Sequence, residues 1–238
     1  MKYRLIAIDA DDTLWETQPF FDRIEEWYCA FLSKYAPADV IDIEFFKKEC
    51  ENMKKLGFGS KAFIISLVEN AIEVTKGKVK PSELKEIIDR GRTLIDIPAT
   101  PLKGVEKSLE KIRAKIDKIN SQQESKVKLI IFTKGDSKEQ EDKIFRSGLL
   151  KYFDNYRVYT DKRKEDYLKL TQEFSVKPEE FLMVGNSFKS DIEPVLQIGG
   201  NAIHIPFYAP WKYESTQEYD HPNLVEVEHF SSLHKILC

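Results

Sequence analysis

An apolar run that ends in carboxylates constrains this chain more than any other stretch. Residues 5–8 are uniformly apolar, and three carboxylates and a hydroxyl follow at once, in Asp9, Asp11, Asp12 and Thr13. An apolar run bounded by polar residues predicts a strand that is buried on both faces, as in a parallel sheet. Open parallel α/β sheets bind their ligands at the carboxyl ends of the strands. The sequence therefore predicts acidic groups at a ligand-binding edge.

Carboxylates crowded at one strand end repel one another. A cation or a shared proton is therefore expected beside Asp9 and Asp11. Taken alone, the stretch also fits an ordinary acidic loop in which Asp12 and Thr13 form a turn.

Further apolar segments, each followed by a helical pattern, predict the rest of a sheet. Predicted strands cover 127–133, 156–160, 181–184, 202–206 and 224–227. Predicted helices cover 105–119, 138–148, 167–174, 192–198 and 230–237. Regular alternation of strand and helix predicts an α/β fold with a doubly wound, mainly parallel, Rossmann-like sheet and right-handed crossovers.

A different pattern fills the chain between the first and second predicted strands. Apolar residues at helical spacing predict helices over 20–35, 43–53, 60–72 and 81–95, with Ser60 as an N-cap. Consecutive helices without an intervening strand predict an inserted all-α domain. We expect it to cover residues 16–98, and the α/β core to consist of residues 1–15 and 99–238.

Composition excludes several classes of function. The net charge of −3 gives no basic field for nucleic acid or anionic lipid. No apolar stretch approaches the roughly 20 residues of a membrane span, and the N-terminal apolar run is too short for a signal peptide. Three widely spaced cysteines, at positions 29, 50 and 238, fit a reducing compartment without structural disulfides. We expect a cytoplasmic protein that binds neither membranes nor nucleic acid.

Three more predicted strands end in polar residues. Thr133-Lys134-Gly135 follows the second strand, Asp161-Lys162-Arg163-Lys164 follows the third, and Gly185-Asn186-Ser187-Phe188-Lys189-Ser190-Asp191 follows the fourth. With the Asp9-x-Asp11-x-Thr13 pattern, these stretches resemble the four motifs of the haloacid dehalogenase (HAD) superfamily in their order along the chain. The resemblance spans the chain apart from the helical insert, which corresponds to a cap domain in that family.

The first motif implies a phosphatase. By resemblance, Asp9 is the nucleophile that forms an aspartyl phosphate, and Asp11 protonates the leaving oxygen and then deprotonates the attacking water. Carboxyl groups suit both tasks, as nucleophile and as general acid and base. Asp12 stands where the family often has Gly, and Asp tolerates the backbone angles of turns.

The second and third motifs imply phosphate-binding groups. By resemblance, the Thr133 hydroxyl donates to the phosphoryl group, Lys134 adds a phosphate contact, and Lys162 neutralises Asp9 and the phosphoryl oxygens. Thr133 alone also fits a helix-capping residue before a turn. Lys164 is the alternative to Lys162, which we favour from the expected direction of its side chain at the strand end.

The fourth motif implies an Mg²⁺ site formed by Asp9, the Asp11 backbone carbonyl, Asn186 and Asp191, the last directly or through water. Asn186 replaces a carboxylate that many family members have, although an amide oxygen is acceptable to a hard cation. Without a metal, Asn186 fits a turn and Asp191 fits a capping box that begins at Ser190.

The resemblance implies an Mg²⁺-dependent phosphomonoester hydrolase with a small phosphorylated substrate, whose identity we expect the cap to determine. Two other reactions fit the same fold: a phosphomutase, which nothing in the sequence excludes, and a metal-free haloacid dehalogenase, against which Asp11 argues. A non-catalytic binding protein of this fold is the third alternative, and Asp9, Asp11, Thr133 and Lys162 argue against it. The sequence leaves the oligomeric state open.

Overall fold

The protein is described by a computed structural model that covers residues 2–237. Cys238 therefore lies outside the described residues. The strands are β1 (Leu5–Ile8), β2 (Lys128–Lys134), β3 (Asn155–Tyr159), β4 (Phe181–Gly185), β5 (Asn201–His204) and β6 (Leu224–Glu226). They form one sheet in the order β3-β2-β1-β4-β5-β6, and each neighbouring pair is parallel. The predicted α/β class with a Rossmann-like parallel sheet is confirmed.

Among the described residues, five α-helices lie between β1 and β2, one lies in each connection from β2 to β5, and one follows β6. They are α1 (Gln18–Leu32), α2 (Ala38–Leu56), α3 (Ser60–Val74), α4 (Pro81–Arg92), α5 (Val105–Gln122), α6 (Ser137–Ser147), α7 (Lys164–Glu173), α8 (Glu193–Gln197) and α9 (Leu233–Leu237). The chain divides into two compact units. The α/β unit consists of two segments, the first ending at Glu16 and the second beginning at Ala99, and the helical unit covers Thr17–Pro98.

Strand β1 is the centre of the α/β unit. Its four side chains are fully buried, and they alternate between two apolar clusters. Ile6 and Ile8 belong to the cluster that includes residues of α5, whereas Leu5 and Ala7 belong to the cluster that includes residues of α7. A strand with a cluster on each face has no polar side, which explains its uninterrupted apolar sequence.

The chain leaves β1 at the point where the order of the strands across the sheet reverses. Strand β1 lies between β2 and β4, so that successive strands run outward on either side of it. This is the switch point at which open α/β sheets bind ligands. The turn that follows depends on Asp12, whose φ of +61° lies in the left-handed region that Asp tolerates better than most residues.

The helical unit has an apolar core of its own. The core includes Tyr28, Phe45 and Leu67, and the Tyr28 hydroxyl donates to the Leu67 carbonyl oxygen at 2.9 Å. The N-cap of α3 is Gly59 rather than Ser60, which is the first helical residue. The Gly59 φ of +123° explains this difference, because glycine reaches such backbone angles without a steric penalty.

No helix in residues 2–237 combines the length and the apolarity that a bilayer crossing requires.

Candidate active site

The ends of β1, β3 and β4 bring three predicted site residues together. Asp9 directly follows β1, Lys162 lies between β3 and α7, and Asp191 follows β4. The Lys162 ammonium forms one ion pair with Asp9 Oδ1 and another, at 2.7 Å, with Asp191 Oδ1. The exposed fractions are 6% for Asp9, 3% for Lys162 and 1% for Asp191, so the three charges lie in a buried cluster.

Burial and charge act in opposite directions on Asp9. Burial and, to a smaller extent, the Asp191 carboxylate raise the pKa of its carboxyl, the Lys162 ammonium opposes them, and the net result is a pKa of about 7. Burial on its own would lower the pKa of Lys162, but the Asp191 and Asp9 carboxylates outweigh this effect and raise it. Lys162 is therefore protonated, and ionisation of Asp9 depends on positive charge beside it.

Asp191 is held by the turn after β4 as well as by Lys162. Its Oδ2 accepts from the Ser187 backbone N–H at 3.1 Å, and Ser187 Oγ accepts from the Ser190 N–H at 3.1 Å. Ser187, not Ser190, is therefore the capping residue of this turn. A Cβ on Gly185 would lie 2.2 Å from Asp191 Oδ2, so only glycine leaves room for this carboxylate.

Asn186 lies beside Asp9 and Asp11. The end of its side-chain amide lies 3.2 Å from the Asp11 carbonyl oxygen, 3.2 Å from Asp9 Oδ2 and 3.1 Å from Thr13 Oγ1. Two arrangements satisfy these atoms: the amide NH₂ donates to the oxygens, or the amide oxygen faces them and a cation lies among the oxygens. Adjacent ligands of an Mg²⁺ octahedron are about 2.9 Å apart. The oxygens of Asp9, Asp11 and Asn186 therefore fit Mg²⁺.

Asp11 is fixed by three donors. Lys143 Nζ lies 2.6 Å from each carboxylate oxygen, Trp15 Nε1 donates to Oδ1 at 2.8 Å, and Gln140 Nε2 donates to Oδ2 at 2.8 Å. Trp15, Gln140 and Lys143 are buried, whereas the Asp11 side chain is 24% exposed. The donors thus hold a carboxylate that still reaches solvent.

The sequence analysis did not identify Gln140 and Lys143. Both lie on α6, a mostly polar helix, and both are more than 120 residues from Asp11 along the chain. A signal is present, because Gln140, Lys143 and the buried Ile144 are spaced three and four residues apart, which places them on one helix face.

The two predicted residues of the second motif have different surroundings. Thr133 is 1% exposed near the end of β2. Lys134 forms an ion pair with Glu214 and donates to Ser190 Oγ at 2.8 Å. Burial on its own would raise the pKa of Glu214, but Lys134 and the nearby serine hydroxyls outweigh it and lower the pKa to about 2. The phosphate-binding roles of Thr133 and Lys134 stay predictions.

Comparison with known proteins indicates the family to which the chain is similar. A family model described as haloacid dehalogenase-like hydrolase matches residues 3–199. No curated protein matches the sequence. A haloacid dehalogenase-like family hydrolase from Xanthomonas campestris is similar to the chain in its crystal structure, with 31% identity and a TM-score of 0.84. The match covers 99% of this chain and 91% of that one.

More distant structures share the fold. The Bacillus subtilis protein YfnB, bound to magnesium, has 14% identity and a TM-score of 0.62, over 100% of this chain and 99% of that one. A 2-haloacid dehalogenase from Pseudomonas syringae has 17% identity and a TM-score of 0.61, over 99% and 98% of the two chains. At these identities the similarity indicates the fold alone.

Proposed function

The chain belongs to the haloacid dehalogenase-like hydrolase family, and within that family we propose that it is an Mg²⁺-dependent phosphomonoester hydrolase. We infer a small phosphorylated molecule as the substrate and an aspartyl phosphate on Asp9 as the intermediate. The proposal goes beyond the family, since related folds carry out dehalogenation as well.

The observation that carries the proposal is the fixed carboxylate of Asp11. Dehalogenation through an aspartyl ester expels a halide, which needs no proton. A phosphomonoester expels an alkoxide, and a positioned general acid accelerates such a step by roughly 10²–10⁴-fold. A second carboxyl that is held by Trp15, Gln140 and Lys143 two residues from the nucleophile supplies that acid.

In the first proposed step, an Asp9 carboxylate oxygen attacks phosphorus and the bond from phosphorus to the leaving oxygen breaks. Asp11 transfers its proton to that oxygen, so the product alcohol leaves neutral. The Lys162 ammonium, in contact with Asp9, stabilises the negative charge on the phosphoryl oxygens. Asp191 orients Lys162 through its other ion pair.

In the second step, Asp11 removes a proton from water while the water oxygen attacks phosphorus. The bond from phosphorus to Asp9 breaks, which regenerates the Asp9 carboxylate and releases inorganic phosphate. Lys143 favours the ionised form of Asp11 and so supports its role as a base. For the proton transfer of the first step, Asp11 has to be protonated against this influence.

Asp9, the Asp11 carbonyl and Asn186 would hold Mg²⁺, with Asp191 as a direct or water-mediated fourth ligand. When bound, the ion supplies positive charge that screens the carboxylates from an anionic substrate. Asp9 and Asn186 would supply side-chain oxygens to it, and the Asp11 backbone would supply a carbonyl oxygen.

The decisive experiment compares two reactions in one preparation. Phosphate release from a panel of phosphomonoesters and halide release from 2-haloacids are measured with Mg²⁺ and with a chelator. We expect phosphate release that requires Mg²⁺ and no halide release. Halide release without metal would identify a dehalogenase instead, and transfer of phosphate between positions of one sugar phosphate would identify a mutase.

A further inference from the structure

A second group of potential metal ligands lies at the β5–β6 edge of the sheet. It consists of His204, Glu218 and Glu226, whose ligand atoms all lie within 4.8 Å of one another. His204 is the last residue of β5, Glu226 is its register partner on β6, and Glu218 lies in the connection between these strands. None of the three belongs to the candidate active site.

One ring nitrogen of His204 has a fixed role. Its Nε2 lies 3.0 Å from the Asn186 carbonyl oxygen, which can only accept a hydrogen bond. Nε2 therefore carries a proton, and in the neutral ring Nδ1 presents a lone pair. Histidines that bind metals commonly donate their other ring N–H to a backbone carbonyl in this way.

The other ring nitrogen is buried and unsatisfied. His204 is 2% exposed, and among the described residues its Nδ1 has no hydrogen-bond partner. Two carboxylate oxygens, both acceptors, face His204 Nδ1. Glu226 Oε2 lies 3.7 Å from this nitrogen and Glu218 Oε2 lies 4.0 Å from it. Three groups with lone pairs thus converge on one point without a donor between them.

The distances are closer to those of two ligands of one metal ion than to a direct hydrogen bond. Both separations exceed the 2.7–3.2 Å range of an N–H···O hydrogen bond. Two ligand atoms at about 2.1 Å from one tetrahedral Zn²⁺ ion are about 3.4 Å apart, and the observed separations of 3.7 Å and 4.0 Å exceed that spacing by a few tenths of an ångström. The side chains of Glu218 and Glu226 are 56% and 66% exposed, so each can adjust to complete the coordination.

We propose that His204, Glu218 and Glu226 form a binding site for a divalent transition-metal ion of the Zn²⁺ class, separate from the catalytic centre. One imidazole and two carboxylates suit Zn²⁺ and similar ions, whereas Mg²⁺ prefers oxygen ligands alone. Water completes the coordination from the adjoining cavity of about 450 Å³, which Glu218 and Glu226 help to line. The bound ion links the segment between β5 and β6 to these two strands and so stabilises its position.

The test is a Zn²⁺ titration followed by calorimetry, with Mg²⁺ in excess throughout. Wild-type protein is compared with Glu218→Gln, Glu226→Gln and the double variant, which remove ligand charge at exposed positions. Glu228→Gln, at an 89% exposed side chain outside the group, is the matched control. We expect each single variant to bind at least about tenfold more weakly, the double variant to lose one Zn²⁺ equivalent, and the control to match wild type.

A second readout reports on His204 directly. In ¹⁵N-detected imidazole spectra, Zn²⁺ should shift the His204 Nδ1 resonance in wild type and in Glu228→Gln, and leave it unshifted in the double variant. Equal stoichiometry and affinity in wild type and the double variant would overturn the proposal. A proton that remains on Nδ1 at saturating Zn²⁺ would overturn it as well.

Discussion

The two units of this protein bury different chemistry. The core of the helical unit consists of aromatic and aliphatic side chains, and its buried Tyr28 hydroxyl donates to the Leu67 carbonyl, whereas its buried Glu83 pairs with the exposed Lys34. The α/β unit also has apolar clusters, but at the end of its central strand it buries Asp9, Lys162 and Asp191 together. Taking charges out of water costs free energy that their mutual attraction only partly offsets, so such a cluster is a poor means of gaining stability.

The difference indicates where function resides. A buried ammonium between two carboxylates is explained by chemistry that needs charge at that point, whereas an apolar helical core is explained by folding alone. We therefore expect substitutions in the charge cluster to reduce turnover, and substitutions in the helical core to reduce stability. The following predictions test that division in order of decreasing effect on turnover.

The largest effect is expected for Asp9→Asn. An amide is a poor nucleophile, so phosphate release should fall by at least about 10³-fold while the fold is retained. Activity is measured with a phosphomonoester and the fold by circular dichroism. Asp12→Asn is the matched control, because Asn tolerates the φ of +61° at that position. Near wild-type turnover in Asp9→Asn would refute the proposed intermediate.

Lys162→Met should reduce turnover by more than about 10²-fold, because it removes the charge that stabilises the phosphoryl oxygens. The remaining rate should show an acidic limb at higher pH, since loss of the ammonium raises the pKa of Asp9 further and attack needs the ionised form. Rates are measured across pH, with Lys164→Met at a nearby exposed position as the control.

The same variant tests the cost of the buried cluster. Near neutral pH, two buried carboxylates without a cation should lower the free energy of unfolding by about 3–5 kcal/mol. Protonation of Asp9, whose folded pKa lies above its unfolded value, relieves the repulsion, so the deficit should shrink as the pH falls. A deficit that is independent of pH would show that the loss comes from packing rather than charge.

The sequence predicts the parts of the site that follow strands. Residues 5–8 identify β1 because a strand with apolar clusters on both faces has no polar position, and each remaining strand was predicted within two residues at either end. Lys162 contacts Asp9 and Asp191 while Lys164 is exposed, and the functional role of Lys162 stays a prediction.

Other features depend on tertiary contacts that the local sequence does not encode. Lys143 lies on a polar helix, where a lysine is ordinarily solvated, and only the tertiary placement of α6 against β2 and β3 makes it a partner of Asp11. Ser187 caps the turn after β4 because the helical turn already begins at Phe188, two residues before Ser190, which a capping-box pattern cannot indicate. The roles of the site residues stay predictions until they are measured.

Lys143→Met tests whether the donors around Asp11 matter. We expect a loss of about tenfold, less than the roughly 10²–10⁴-fold contribution of a general acid, because Trp15 and Gln140 still hold the carboxylate. The loss should be larger for p-nitrophenyl phosphate than for an alkyl phosphate, because Lys143 supports the base step that both substrates share and opposes the protonation that only the alkyl leaving group needs. Lys138→Met, at an exposed position of α6, is the control. An equal loss for both substrates would assign Lys143 a structural role.

Asn186→Asp should have a smaller effect, which appears in Mg²⁺ dependence rather than in maximal turnover. The added charge beside Asp9 should lower the Mg²⁺ concentration for half-maximal activity by roughly tenfold, and Asn186→Ala should raise it. Turnover need not increase, since the charge also repels an anionic substrate. Identical half-saturation in all three proteins would show that Asn186 is a turn residue and not a ligand.

The smallest effect on turnover is expected for Phe45→Ala in the helical unit. Phe45 is fully buried in that core, and its truncation should lower the free energy of unfolding of the helical unit by about 3–5 kcal/mol. Below the unfolding transition, turnover of p-nitrophenyl phosphate should stay within twofold of wild type, because all four motifs lie in the α/β unit. Denaturant unfolding and steady-state rates check the two halves of this expectation.

Val40→Ala, at an exposed position of α2, is the control and should change stability by no more than about 0.5 kcal/mol. The proposed assignment of catalysis to the α/β unit alone is contradicted if Phe45→Ala slows p-nitrophenyl phosphate hydrolysis while the protein is fully folded. If that rate is retained but the preference among larger phosphomonoesters changes, the assignment is supported. The helical unit would then influence which substrate reacts without taking part in the reaction. Substrate discrimination is the function that we expect of this insert, and a variant that is folded, active and less selective would demonstrate it.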